Sequence, residues 1–144
     1  MAFKDNSEEV KRRLRRAVMR GLDTAGVIVQ GEAQALSPVD SGYLRDSIDT
    51  RQEEEQTDVF VQSVGTPAEH AVFIEFGTGI YAENGEGRKG GWIYPDPYGA
   101  VDEKGNLIFY ETFGIEPQPF LRPAFRKNKS RIKTVIEQEL KGAL

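Results

Sequence analysis

The chain has 144 residues, no cysteine, a single histidine and a formal net charge of −4, which is length enough for one domain whose core needs no metal or cross-link. Without cysteine there is no disulfide framework, thiolate nucleophile or sulfur-ligated metal. The net charge conceals a partition: seven basic residues against three acidic in 1–20, five against eighteen in 21–121, and seven against two in 122–144.

The first segment reads as a long helix from Ser7 to Leu36, roughly 45 Å at 1.5 Å per residue. Asn6 is placed to cap it, with Glu9 three residues on and Glu8 favouring the positive end of the dipole. Val10, Leu14, Ala17, Val18, Gly21, Leu22, Ala25, Ile28, Val29, Ala33 and Leu36 recur at three- and four-residue spacing, the signature of one apolar face. Gly21, Gly26 and Gly31 each cost such a helix up to about 1 kcal/mol relative to alanine. Its order must therefore come from packing, with the glycines marking either close helix–helix approach or a kink. Pro38 ends it.

Beyond Pro38 a turn with Asp40 and Ser41 as capping residues leads into a short helical segment reaching Ile48. Ile48–Arg51 and Val59–Val64 read as strands, joined by the acidic turn Glu53-Glu54-Glu55. Ala71–Phe76 reads as a third strand, stopped by Gly77. Six glycines between Gly77 and Gly91 predict a loop. Trp92–Tyr94 and Leu107–Tyr110 then predict a hairpin turning at Asp102–Asn106, with Pro95 and Pro97 pushing its approach to an edge or irregular path. Pro123 sits in the first turn of a last helix carrying Ala124, Phe125, Ile132, Ile136 and Leu140. The sum is an α+β fold: a helix over 1–37, sheet and loops over 38–121, and a helix over 122–144.

The residues offer little for catalysis, and no catalytic, cofactor or metal residues are assigned. His70 pairs on paper with Ser41 or Ser63, the weak basis of a small-hydrolase alternative, but neither serine sits in a strained nucleophile turn. Gly85–Gly91 lacks the spacing and following helix of a phosphate-binding loop. Glu53–Glu55 lies in a polar stretch with no apolar pocket to raise a carboxyl pKa, and Asp102-Glu103 lacks calcium-loop spacing. No stretch approaches the roughly 18–20 apolar residues that a membrane span requires, and the first residues run straight into charge rather than an apolar signal region. The expectation is a protein made in the cytoplasm without a membrane partner.

Two positions carry more information. Glu75 stands in an otherwise apolar segment, so its carboxylate calls for a partner, Arg45 or Arg122, or for an edge that meets another subunit. Arg12, Arg13, Arg15, Arg16 and Arg20 form a basic face on the first helix. Such a face suits contact with the acidic middle of another copy; as an alternative, it suits nonspecific binding to DNA as an accessory protein.

Three motifs in order resemble a known family. Pro38-Val39-Asp40-Ser41-Gly42-Tyr43-Leu44-Arg45-Asp46-Ser47-Ile48 resembles its early P-V-D-T/S-G-x-L-R-x-S signature. Ala71-Val72-Phe73-Ile74-Glu75-Phe76-Gly77-Thr78 resembles its E-F/Y-G-T segment, and Pro119-Phe120-Leu121-Arg122-Pro123-Ala124-Phe125 its P-F-L-R-P-A entry into the last helix. The chain is similar to the tail-completion or head–tail joining proteins of siphovirus-like phages, typified by the tenth gene product of a lambdoid coliphage. The resemblance implies one α+β domain over 1–144 and a structural role in the virion neck or tail end, assembled in the host cytoplasm. It also implies a homo-oligomeric ring, possibly a hexamer matching the sixfold tail, in contact with neighbouring head-completion, connector and tail proteins. Asp40, Gly42, Leu44, Arg45, Glu75, Gly77, Thr78, Phe120, Leu121 and Pro123 carry the family pattern as fold- or assembly-determining positions. The basic helix of one subunit is expected to meet the acidic body of the next, with the Gly77–Gly91 loop at an interface.

Overall fold

The computed structural model describes residues 4–39, 42–53 and 58–144. The chain forms two compact units, one built from Met1–Ala68 with Phe120–Leu144, the other from Glu69–Pro119. Helices and small antiparallel strand pairs together make an α+β protein.

The first unit is organised by α1 (Ser7–Leu36), an uninterrupted helix of 30 residues. Its buried positions Ala17, Gly21, Ala25, Val29 and Ala33 recur every four residues, which places them on one stripe. Nearly all are small, so neighbouring backbones come close. A Cβ added at Gly21 would lie 3.0 Å from Ile136 Cα, and one at Gly26 would fall onto the Thr50 hydroxyl. Close approach, rather than a kink, is therefore the use made of these two glycines. Gly31 faces open space.

The last segment divides into α4 (Leu121–Lys127) and α5 (Lys129–Ala143). It breaks at Asn128, whose side-chain amide donates to Ala124 O at 2.8 Å. Pro123 occupies the third position of α4, where its missing N–H has no intrahelical partner to lose. α5 runs antiparallel along α1, with Arg20–Glu139 at 3.1 Å toward its far end, while Lys127, the last residue of α4, pairs with Glu32 at 3.3 Å just before α5 begins. Phe120 and Ile48 are the largest fully buried side chains, joined in the core by Leu44 and Ala124.

The entry to α1 differs from the sequence expectation. Asn6 makes no side-chain cap; Asp5 Oδ1 instead accepts from Ser7 N at 2.9 Å, and this bond holds the Asp5 carboxyl below its ordinary range. Glu9 does not reach back to close a capping box but pairs with Arg13 at 2.6 Å.

α2 (Tyr43–Ser47) leads into β1 (Asp49–Gln52), which pairs antiparallel with β2 (Gln62–Gly65) in the register Asp49↔Gly65 to Gln52↔Gln62. Of the predicted second strand only its end is regular; Val59 makes an isolated bridge. Glu53 N still donates to Val61 O at 2.9 Å beyond the ladder. The capping residues Asp40 and Ser41, and Glu54 and Glu55 of the acidic turn, lie outside the described residues.

The second unit holds the main correction. Ala71–Phe76 is not a strand but a helix, α3 (Ala71–Phe76), ended by Gly77 at φ 77°. Its buried residues are Ala71 and Glu75, four apart, a helical interval where a strand would alternate. β-propensity from Val72, Phe73 and Ile74 is outweighed because it measures fit to a pleated surface, and among the described residues no strand pairs with this segment. Instead Gln118 N closes on Ile74 O at 2.7 Å. The predicted hairpin is present: β3 (Trp92–Pro95) pairs with β4 (Phe109–Thr112), and a Val101↔Leu107 bridge flanks the turn at 102–106.

Candidate assembly surface

The motif residues fall in both units. In the first, Gly42 adopts φ 83° immediately before α2, a left-handed conformation that disfavours any side chain. Leu44 is buried, and Arg45 is half exposed with its Nε 3.2 Å from Asp46 Oδ1. The Arg45 and Ile48 carbonyls accept from the Gln34 amide, which ties α2 to α1. Phe120 is fully buried at the entry to α4, with Leu121 and Pro123 half-buried behind it. Asp40 lies outside the described residues.

In the second unit, Glu75, Gly77 and Thr78 form one joint at the end of α3. Glu75 is only 4% exposed. Because the segment is helical, Phe73 does not share its face as a strand would require. Thr78 closes a two-way contact with Ile115: its N–H donates to Ile115 O and its Oγ1 accepts from Ile115 N, both at 2.9 Å. Gly79, Gly87 and Gly114 pack backbone against backbone here; a Cβ at Gly79 would overlap Phe113 O. The glycine-rich segment is thus held by specific close approaches and contains a short 3-10 turn, Gly79–Tyr81.

The feature that sequence reasoning missed lies on the other side of α3. Val72, Phe73 and Phe76 are 59%, 53% and 44% exposed. With Trp92 and Ile115 they line an open cleft of about 790 Å³ whose rim carries Glu83, Glu86 and Arg88. Arg88 lies over the Trp92 ring, 5.5 Å from its centroid. The available signal was the four-residue interval between Ala71 and Glu75, which a helix turns into a buried edge opposite an apolar face.

The hairpin beyond the cleft is pinned by two aspartates. Asp96 Oδ1 accepts from Tyr98 N at 2.9 Å and Ala100 N at 3.1 Å, while Tyr110 OH donates to Asp96 Oδ2 at 2.9 Å. Asp102 Oδ1 accepts from Lys104 N and Asn106 N, both at 2.9 Å. These backbone donors, from Ala100 and Asn106 above all, hold both carboxyls below the ordinary value of 3.8. The Asp96 bond raises the Tyr110 hydroxyl above its ordinary 10.0.

The basic face lies on the amino-terminal half of α1. Gly142 and Ala143 at the end of α5 lie beside Arg13, Arg16 and Arg20, and every residue from Ser7 to Arg13 is exposed. Lys11, Arg13, Arg15 and Arg20 pair with Glu8, Glu9, Asp58 and Glu139 respectively. Arg12 and Arg16, one turn apart, have no ion-pair partner among the described residues. His70 immediately precedes α3 and is exposed. Ser63 lies in β2, and Ser41 lies outside the described residues. Among the described residues no cluster of three His, Asp or Glu side chains could hold a metal ion, and no helix is long and apolar enough to cross a membrane.

The family model described as "Bacteriophage HK97-gp10, putative tail-component" matches residues 1–77, more than half of the chain. The chain belongs to this phage tail-component family. The match takes in α1, the 38–48 motif and α3 to Gly77, where the second motif turns; the third motif, at 119–125, lies beyond it. No curated protein and no solved structure matches the chain. As a phage tail component the protein is a structural part of the particle.

Proposed function

We propose that this tail component is a non-enzymatic, ring-forming subunit at the neck or tail end of the particle, where it joins head to tail or completes the tail. The observation that carries this reading is where the exposed apolar surface lies. Of twenty-two large apolar side chains exposed among the described residues, fourteen fall between Val72 and Ile115. A stretch of this length with so much exposed apolar surface is built to be covered by protein. The same stretch is acidic, with nine carboxylates against three basic residues from Glu69 to Pro119, whereas 1–20 and 122–144 are basic. Unlike surfaces on one chain favour heterologous contacts between copies, and heterologous contacts that close give a ring. Six copies would match a sixfold tail, with head-completion or connector and tail proteins as neighbours, after assembly in the host cytoplasm.

Light scattering across protein concentration tests the reading. A defined oligomer that grows with concentration and saturates is the expected outcome. A strict monomer up to millimolar concentration would overturn self-assembly as the basis of the ring.

A further inference from the structure

We propose that the α3 cleft of one copy receives the outward face of α1 from a second copy, with Arg12 and Arg16 as the entering side chains; this rests on the ring reading above. The cleft combines an apolar and aromatic lining with carboxylates on its rim. Val72, Phe73, Phe76, Trp92 and Ile115 supply the lining, Glu83 and Glu86 the negative charge. That combination fits arginine better than a purely apolar or purely anionic partner. An arginine lays its methylene stem along apolar surface, stacks its planar guanidinium on a ring and presents its fork to a carboxylate. Arg88 already lies over the Trp92 ring.

The same chain carries matching donors. Arg12 and Arg16 stand at the i, i+4 interval on one side of α1, so their side chains run side by side. Their basic neighbours Lys11, Arg13, Arg15 and Arg20 are held by carboxylates of the same chain. Arg12 and Arg16 are left without an ion pair among the described residues, Arg12 across α1 from its buried stripe of Ala17, Gly21 and Ala25 and Arg16 on the flank beside the end of α5. The amino-terminal end of α1 is exposed throughout Ser7–Arg13, so a neighbouring copy can approach it. Cleft and helix are different surfaces, so each subunit uses one toward each neighbour, the heterologous arrangement that a ring requires.

The test is a complementation experiment on the full chain, read by light scattering, with thermal melts confirming that each variant folds. Phe73→Asp removes the cleft and leaves the helix; Arg12→Glu with Arg16→Glu removes the helix face and leaves the cleft. Each alone is expected to raise the apparent dissociation constant for self-association by about tenfold or more. Their equimolar mixture is expected to form a 1:1 complex that grows no further. Glu83→Lys with Glu86→Lys, placed in the charge-reversed chain, is expected to restore self-association. If the wild-type chain oligomerises and both variants match it, the proposal is overturned while the ring reading stands, and the cleft serves another partner. If the wild-type chain stays monomeric, both fall together.

Discussion

At Gly26 a hydrogen atom is all that fits between α1 and the β1–β2 pair. A methyl there would meet the Thr50 hydroxyl and lie 2.9 Å from Gln62 Cγ, disrupting the bonds Thr50 makes to Ser63 O and Gln62 Nε2. Five residues on, Gly31 has nothing within 4 Å. Gly26→Ala is therefore expected to destabilise by about 1–3 kcal/mol. Gly31→Ala, which only removes a flexible residue from a helix interior, should stabilise by about 0.5–1 kcal/mol. Chemical denaturation of the two variants checks both signs. Glu75 poses a different problem, because a carboxylate 4% exposed in a short helix must be compensated by its surroundings. Glu75→Gln keeps the shape and removes the charge, so it should lower stability by about 1–3 kcal/mol. Unchanged denaturation and unchanged assembly would show that the charge has no structural role. That Glu75 is structurally demanding was legible from its apolar neighbours. That it faces inward beside Ala71, rather than alternating with Ile74 and Phe76, was not.

The elements differ in how much of their order is local. The β3–β4 hairpin has exposed faces: Ile93 is 69% exposed and Phe109 57%. A bare two-stranded ribbon is marginal in water, so its turn chemistry carries unusual weight. Asp96 and Asp102 accept backbone donors across their turns, and both carboxyls are depressed for that reason. A carboxyl whose folded pKa is lowered contributes stability above its unfolded value and loses it as pH falls through the folded one. The hairpin should accordingly keep its cross-strand NMR contacts at neutral pH and lose them progressively below about pH 4. Asp102→Ala should weaken those contacts already at pH 7 and reduce the remaining acid dependence. Contacts that persist unchanged to pH 2 in the isolated chain would count against this role for the turn. This element was readable because its turn residues act locally. α3 was not, since its apolar run satisfies strand propensity, and the backbone bond it receives from afar, Gln118 N to Ile74 O, is brought in by the fold.

For the whole molecule, charge and apolar surface pull in the same direction. Basic ends and an acidic stretch from Glu69 to Pro119 attract each other between copies, while the exposed α3 face supplies contact area once they meet. Screening shortens the reach of the first term to about 8 Å at physiological salt and about 3 Å at 1 M; it leaves the second intact. Self-association should therefore weaken between low salt and about 0.5 M without vanishing, which sedimentation at several salt concentrations would measure. Complete insensitivity to salt would mean that charge does not guide assembly, and the pairing of Arg12 and Arg16 with Glu83 and Glu86 would be the wrong contact.

The sequence by itself determined what local rules control. The thirty-residue helix follows from apolar spacing between Ser7 and Leu36, the hairpin from Asp102 to Asn106 flanked by β-formers, and the start of the last helix from Pro123. Family membership was also legible, because motifs such as Gly42-Tyr43-Leu44-Arg45 survive as short strings whatever surrounds them. Tertiary structure decided the rest. It chose helix over strand at Ala71–Phe76, moved the cap of α1 from Asn6 to Asp5, split the last helix at Asn128 and assigned Gly21 and Gly26 to close packing. It also created the cleft, whose walls come from Val72, Trp92 and Ile115, far apart in sequence. Periodicity records which residues are apolar; which of them meet depends on long-range contacts that no local window contains.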